Sequence, residues 1–136
     1  MLTFSPNIRT AAAALLTCCA VLLYSGCDDD LIDSPDQIVF PDTNVSYLRH
    51  VQPLFNVSCN FSGCHSLESR AGDLALISHF DVTLKPGMVI AGEPDRSLLV
   101  QIVRGTSPHP ASFQARVNQN HKDGIAQWVL EGAGPE

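Results

Sequence analysis

The run Cys59-Asn60-Phe61-Ser62-Gly63-Cys64-His65 puts two thiols and an imidazole within a few residues of one another. Three chemistries suit such a set. Two thiols can add across the vinyl groups of a porphyrin, and an imidazole next to the second thiol then delivers a nitrogen to the iron. Covalent haem sites of this kind commonly have the spacing C-x-x-C-H. Here four residues separate the cysteines, giving C-x4-C-H, and the wider loop still spans two vinyl groups if Ser62-Gly63 bulge outward. The same thiols can instead close a local disulfide ring, which leaves His65 incidental. In the third reading Cys59, Cys64 and His65 join His50 in a tetrahedral zinc site, at a spacing unusual for zinc.

The residues ahead of this cluster bear on which thiols matter. Residues 10–24 (TAAAALLTCCAVLLY) are almost wholly apolar and follow a short polar segment whose only fixed side-chain charge is Arg9. That run is shorter than the about 20 residues a spanning helix needs, and it fits the hydrophobic region of a secretory signal peptide. Tyr24-Ser25-Gly26-Cys27 then resembles the bacterial lipobox, with two small residues before a cysteine, although Tyr24 stands where Leu is usual. The resemblance implies cleavage after residue 26, lipid on Cys27, and a lipid-anchored protein of the bacterial cell envelope, on the periplasmic or outer-membrane side. Cys18 and Cys19 leave with the signal, so Cys59 and Cys64 are the thiols of the mature domain, in an oxidising compartment.

Composition narrows the function further. The 136 residues are 45% hydrophobic and 16% charged, so the chain is no disordered spacer. Its net charge of −6 argues against a nucleic-acid partner, because phosphate backbones select basic surfaces. Six acids and no base fall in residues 28–42. Residues 27–44 are therefore expected to be a solvated tether, kept extended by Pro35 and Pro41.

The domain that positions the cluster is expected over residues 45–136. Tyr47, Leu48, Val51, Leu54 and Phe55 recur at helical spacing after Ser46, a good N-cap, with Pro53 predicting a kink or an early end. Residues 71–76 start as a loop and lead to a short helix or turn. Residues 86–96 carry turn markers. Over residues 95–104, Leu98, Leu99, Ile102 and Val103 share one face of a helix that Asp95 is expected to cap. Residues 105–116 read as loop. The last helix, over residues 118–131, starts at Asn118, stacks His121, Ile125, Trp128 and Val129 in one stripe, and stops at Gly132. Alternating patterns are weak throughout, so the fold class is all-α, with long loops and little apolar surface to bury. Small domains of this kind usually need a staple, a metal or a cofactor.

These segments resemble small c-type cytochrome domains of bacterial envelope lipoproteins. The resemblance rests on Val51-Gln52-Pro53-Leu54-Phe55 ahead of Cys59 and Cys64-His65, on Ala71-Gly72-Asp73-Leu74, on Gly92-Glu93-Pro94-Asp95-Arg96-Ser97-Leu98-Leu99, and on Ile125-Ala126-Gln127-Trp128-Val129 with Gly132-Ala133, in that order. It implies a cytochrome c-like helical fold around one covalent haem c, held by thioethers at Cys59 and Cys64 with His65 as proximal axial ligand. It also implies that Trp128 packs on the macrocycle or on the opposing helix. Relatives supply a Met-Pro pair in the loop before the last helix as the second ligand. This chain has His109-Pro110 there, so His109 is expected as the distal ligand, with His121 and then Met88 as alternatives, and His50 and His79 as surface residues. The function so implied is electron transfer between redox proteins of the envelope, at a potential below that of a Met-ligated relative. No nucleophile, proton-transfer pair or phosphate loop points to an enzyme or to a small-molecule substrate. The competing function is a disulfide-closed binding or scaffold module that carries no haem.

Overall fold

The computed structural model describes residues 31–136, and Ile32–Glu136 pack as one unit. The expected signal peptide, its cleavage point and Cys27 lie outside the described residues. The described residues are helices and loops with no strand, an all-α architecture. Four α-helices carry it: α1 (Gln52–Ser58), α2 (His79–Thr83), α3 (Leu98–Arg104) and α4 (Gln119–Leu130). Short 3-10 turns lie at Pro35–Gln37, Ala71–Asp73, Pro94–Arg96 and Ala111–Arg116. None of these helices is long and apolar enough to cross a membrane.

Ser46 caps the first helical segment as expected, its side chain accepting from the Arg49 N–H. Pro53 does not end that segment. A wide π-helical turn over Tyr47–Val51, in which the Gln52 N–H reaches the Tyr47 carbonyl, runs directly into α1. Pro53 thereby falls in the first turn of α1, where a missing N–H costs little. Leu48 departs from the expected stripe and is exposed, while Tyr47, Val51, Leu54 and Phe55 are buried.

Asp95 does not cap α3. It sits in the preceding 3-10 turn and pairs with Arg104 at 2.6 Å, and Ser97 takes the N-cap position. The Ser97 hydroxyl turns back to accept from the Ile90 N–H at 2.8 Å, tying α3 to the turn before it. Gly105 ends α3 with φ +78°, a conformation that suits glycine. The stretch expected to be loop up to residue 116 contains the 3-10 turn Ala111–Arg116. Asn118 caps α4, accepting from the His121 N–H at 3.0 Å, and His121, Ile125, Trp128 and Val129 are all buried.

The acidic segment is only in part a tether. Ile38 and Phe40 are buried in the core, so the domain begins ahead of residue 45. Asn120 clamps Phe40 on both sides, accepting from its N–H at 2.8 Å and donating to its carbonyl at 2.9 Å. The Phe40 ring lies across Gly124, where a methyl group would meet its Cγ at 2.1 Å. Glu131 accepts from the N–H groups of Asn44 and Val45 at 2.7 and 2.8 Å. Charge counting misses this because the apolar pair Ile38 and Phe40 is short and lies among acids.

Candidate functional site

The Cys59–His65 loop leaves the end of α1, where the N–H groups of Cys59 and Asn60 both reach the Phe55 carbonyl at 2.8 Å. The loop closes on itself through His65 N–H to the Cys59 carbonyl at 3.2 Å and Cys64 N–H to the Phe61 carbonyl at 2.9 Å. Of Ser62 and Gly63, the pair expected to bulge outward, Ser62 lines the cavity described below and Gly63 does not. Both are exposed, and Gly63 has φ +81° and donates its N–H to Ser69 Oγ at 2.6 Å. The segment after residue 70 holds the loop from below: Ala71 N–H bonds to the Cys64 carbonyl and Leu76 N–H to the His65 carbonyl, each at 2.9 Å.

The two thiols and the imidazole line one cavity of about 550 Å³, within the roughly 300–1,000 Å³ range of cofactor and ligand sites. Its walls are apolar. Leu98, Leu99, Ile102 and Val103, the predicted face of α3, form one side, and Leu74, Leu76, Met88 and Phe113 form much of the rest. Cys59 and Cys64 are not joined to each other. Burial, and secondarily the neighbouring Cys64, push the Cys59 thiol up to about 12, with Arg116 pulling weakly the other way. The thiol is therefore neutral at physiological pH.

His65 Nδ1 lies 3.1 Å from the Leu74 carbonyl. A carbonyl only accepts, so Nδ1 carries the hydrogen and Nε2 keeps its lone pair. A second-sphere carbonyl of this kind is how ligating histidines are usually held.

His109 also lines the cavity, at a ring-centre distance of 6.0 Å from His65 and an interplanar angle of 33°. Its ring packs edge-on against Phe113 at 4.9 Å. Gln114 fixes this loop to α3 by donating to the Ile102 carbonyl at 3.1 Å. Burial and then the proximity of His65 hold the His109 imidazole below its usual pKa, which favours the neutral, ligating form. Two imidazoles bound at about 2 Å on opposite sides of one first-row metal have ring centres about 6 Å apart. The pair His65–His109 meets that spacing. Buried polar atoms are normally hydrogen-bonded, yet His109 Nδ1 and Asn60 Oδ1 are buried without a partner among the described residues. Both belong to the cavity or to the loop that forms it. Thiols, imidazoles and apolar walls together fit a haem.

The other sequence candidates divide. Met88, the last of the alternative distal ligands, is on the cavity wall and buried. His121 is not on that wall. Its Nδ1 accepts from the Asn118 N–H at 3.1 Å and its Nε2 donates to the Ile38 carbonyl at 3.0 Å, so both nitrogens are committed to anchoring the N-terminal segment. Trp128 is not on the wall either. It packs against Tyr47 and His79, and its indole N–H donates to the Gly134 carbonyl at 2.8 Å, a core role. His50 packs on Phe40, accepts from the Ser46 N–H at 3.0 Å, and is not on the wall that holds the cysteines and His65. His79 is half-buried rather than a plain surface residue, its Nε2 bonded to the Ala133 carbonyl at 2.7 Å. Sequence reading missed Phe113 and the 71–76 segment as supports for the two histidines. Phe113, four residues after His109, was the available signal. Compared with known families, curated proteins and solved structures, the chain matches none.

Proposed function

We propose that this chain is an electron-transfer protein carrying one covalent haem c, with Cys59 and Cys64 as thioether donors and His65 and His109 as axial ligands. One observation carries the reading: two imidazoles lie with ring centres 6.0 Å apart in an apolar cavity whose wall also holds both thiols. When bound, the haem supplies an iron that gains and loses single electrons. The polypeptide does the rest. The Leu74 carbonyl fixes the His65 tautomer, Phe113 braces His109, and the leucines and isoleucine of α3 give the site an apolar wall. With both axial positions taken by protein, no position is left for a substrate, so the reading is a carrier that serves redox proteins and not an enzyme. The sequence ahead of the domain supports a lipid-anchored location in the bacterial envelope, through Cys27.

The test is a haem stain after denaturing gel electrophoresis of the full chain, made in a host with competent maturation factors. Only thioether-linked haem stays with the polypeptide, and staining is expected for the parent and lost in Cys59→Ala/Cys64→Ala. An intact mass two hydrogens lighter than the reduced polypeptide, with no added group, would instead establish the disulfide-closed module. Replacing His109 by Ala is expected to change the Soret and visible bands of the loaded protein.

A further inference from the structure

Two cations line the cavity and no carboxylate does. Lys85, half-buried, donates from Nζ to the Gly72 carbonyl. Arg116, at the exposed rim, lies over the Phe61 ring at 4.4 Å from its centre and donates to the Val57 carbonyl at 3.4 Å. Neither forms an ion pair among the described residues, where the two ion pairs are Arg96–Glu93 and Arg104–Asp95 on the surface. The chain as a whole carries a net charge of −6, so these two positive charges run against its overall field. Both side chains are held by neutral carbonyls, which orient a cation without neutralising it. A cavity with apolar walls and uncompensated cations at its edge suits a flat apolar ligand that bears carboxylates.

We propose that Lys85 and Arg116 form an anion subsite that binds the carboxylate side arms of a tetrapyrrole, independently of iron and of the thiols. The inference rests on the haem reading and deepens it, because it assigns the part of the ligand that neither cysteine nor histidine touches. The charges act at the rim, so their effect is screened by salt. They favour the doubly ionised ligand over the same ring without charge.

The test separates this subsite from the haem reading by removing the metal and the covalent step. The probe is metal-free mesoporphyrin IX, whose ethyl groups cannot take up thiols, compared with its dimethyl ester. Binding to the reduced full-length apoprotein is followed by quenching of Trp128 fluorescence and by the porphyrin's own emission. The diacid is expected to bind about tenfold or more tighter than the diester, as charge-assisted contacts imply. In Lys85→Gln/Arg116→Gln that preference disappears, while diester affinity stays within about twofold. Circular dichroism of the variant, matched to the parent, shows that the fold is kept. Equal binding of acid and ester by the parent overturns the subsite and leaves the haem reading standing. So does an undiminished preference in the double variant. Failure of both ligands to bind the parent also overturns the subsite, and the haem stain then decides the haem reading by itself.

Discussion

Among the described residues, His65 has a partner at one ring nitrogen and none at the other, and the buried Nδ1 of His109 has none. This asymmetry makes ligand identity testable one residue at a time. Exchanging an imidazole for a thioether raises the potential of a haem. His109→Met is therefore expected to move the midpoint upward, on the order of 0.1 V within the about 0.8 V that axial ligation spans. A redox titration that finds no upward movement places the second ligand elsewhere. Cys59 supports a pH prediction for the protein without haem. Its thiol, raised in the folded state to about 12, stays protonated there after the unfolded chain has begun to ionise near its ordinary value of about 8.5. The unfolded state then holds fewer protons, so stability is full below that ordinary value and falls as pH climbs towards 12. The buried Tyr47 phenol, raised by burial and then by Asp81, acts in the same direction. Urea midpoints of the reduced apoprotein are expected to drop between pH 8 and pH 11. Cys59→Ala should flatten part of that drop, whereas midpoints independent of pH would contradict the burial of both groups.

Between elements, the tightest fit is α4 against the N-terminal segment. Glycine inside a helix normally costs about 1 kcal/mol relative to alanine, so Gly124→Ala on an open helix would stabilise it. Here the added methyl meets the Phe40 ring at 2.1 Å, and overpacking dominates. Gly124→Ala is expected to destabilise by about 1–3 kcal/mol. Pairing it with Phe40→Leu should recover part of the loss, which makes the pair non-additive in a double-mutant cycle followed by thermal melting. This contact also marks the limit of what sequence reading delivers. The α4 stripe, the apolar face of α3 and the Ser46 and Asn118 caps were legible because periodicity and capping are local. The burial of Ile38 and Phe40 was not, because it depends on partners such as Asn120 and Gly124 far along the chain. The same holds for Met88, which a turn carries back onto the cavity wall, and for Trp128, whose size suited a cofactor contact but whose neighbours are Tyr47 and His79. For the candidate site, spacing singled out the cluster Cys59–His65 with three chemistries open to it, and the resemblance alone singled out His109, in the place of a Met-Pro pair. Their approach to 6.0 Å required the fold.

Over the whole domain, the segment before residue 45 is part of the core through Ile38 and Phe40, although its only regular element is the turn Pro35–Gln37. A chain that begins at residue 45 loses two buried apolar side chains, Ile38 and Phe40. At about 1.5–3 kcal/mol each, their loss removes much of the 5–15 kcal/mol that stabilises a typical domain. Such a chain is expected to melt at least about 10 °C lower than the full one, and a melting temperature within a few degrees would return that segment to the role of tether. The core and the cavity share side chains: Leu74, Leu76, Met88, Leu99, Val103 and Phe113 belong to the buried cluster and also line the cavity. Tyr47, Val51, Leu54, Phe55, Ile125, Trp128 and Val129 are buried together, and none of them lines it. The core thus has a closed half and a half that opens onto the cavity. Left unfilled, that opening leaves its apolar side chains short of partners, so an empty chain is expected to be the softer form and the one proteases cut first.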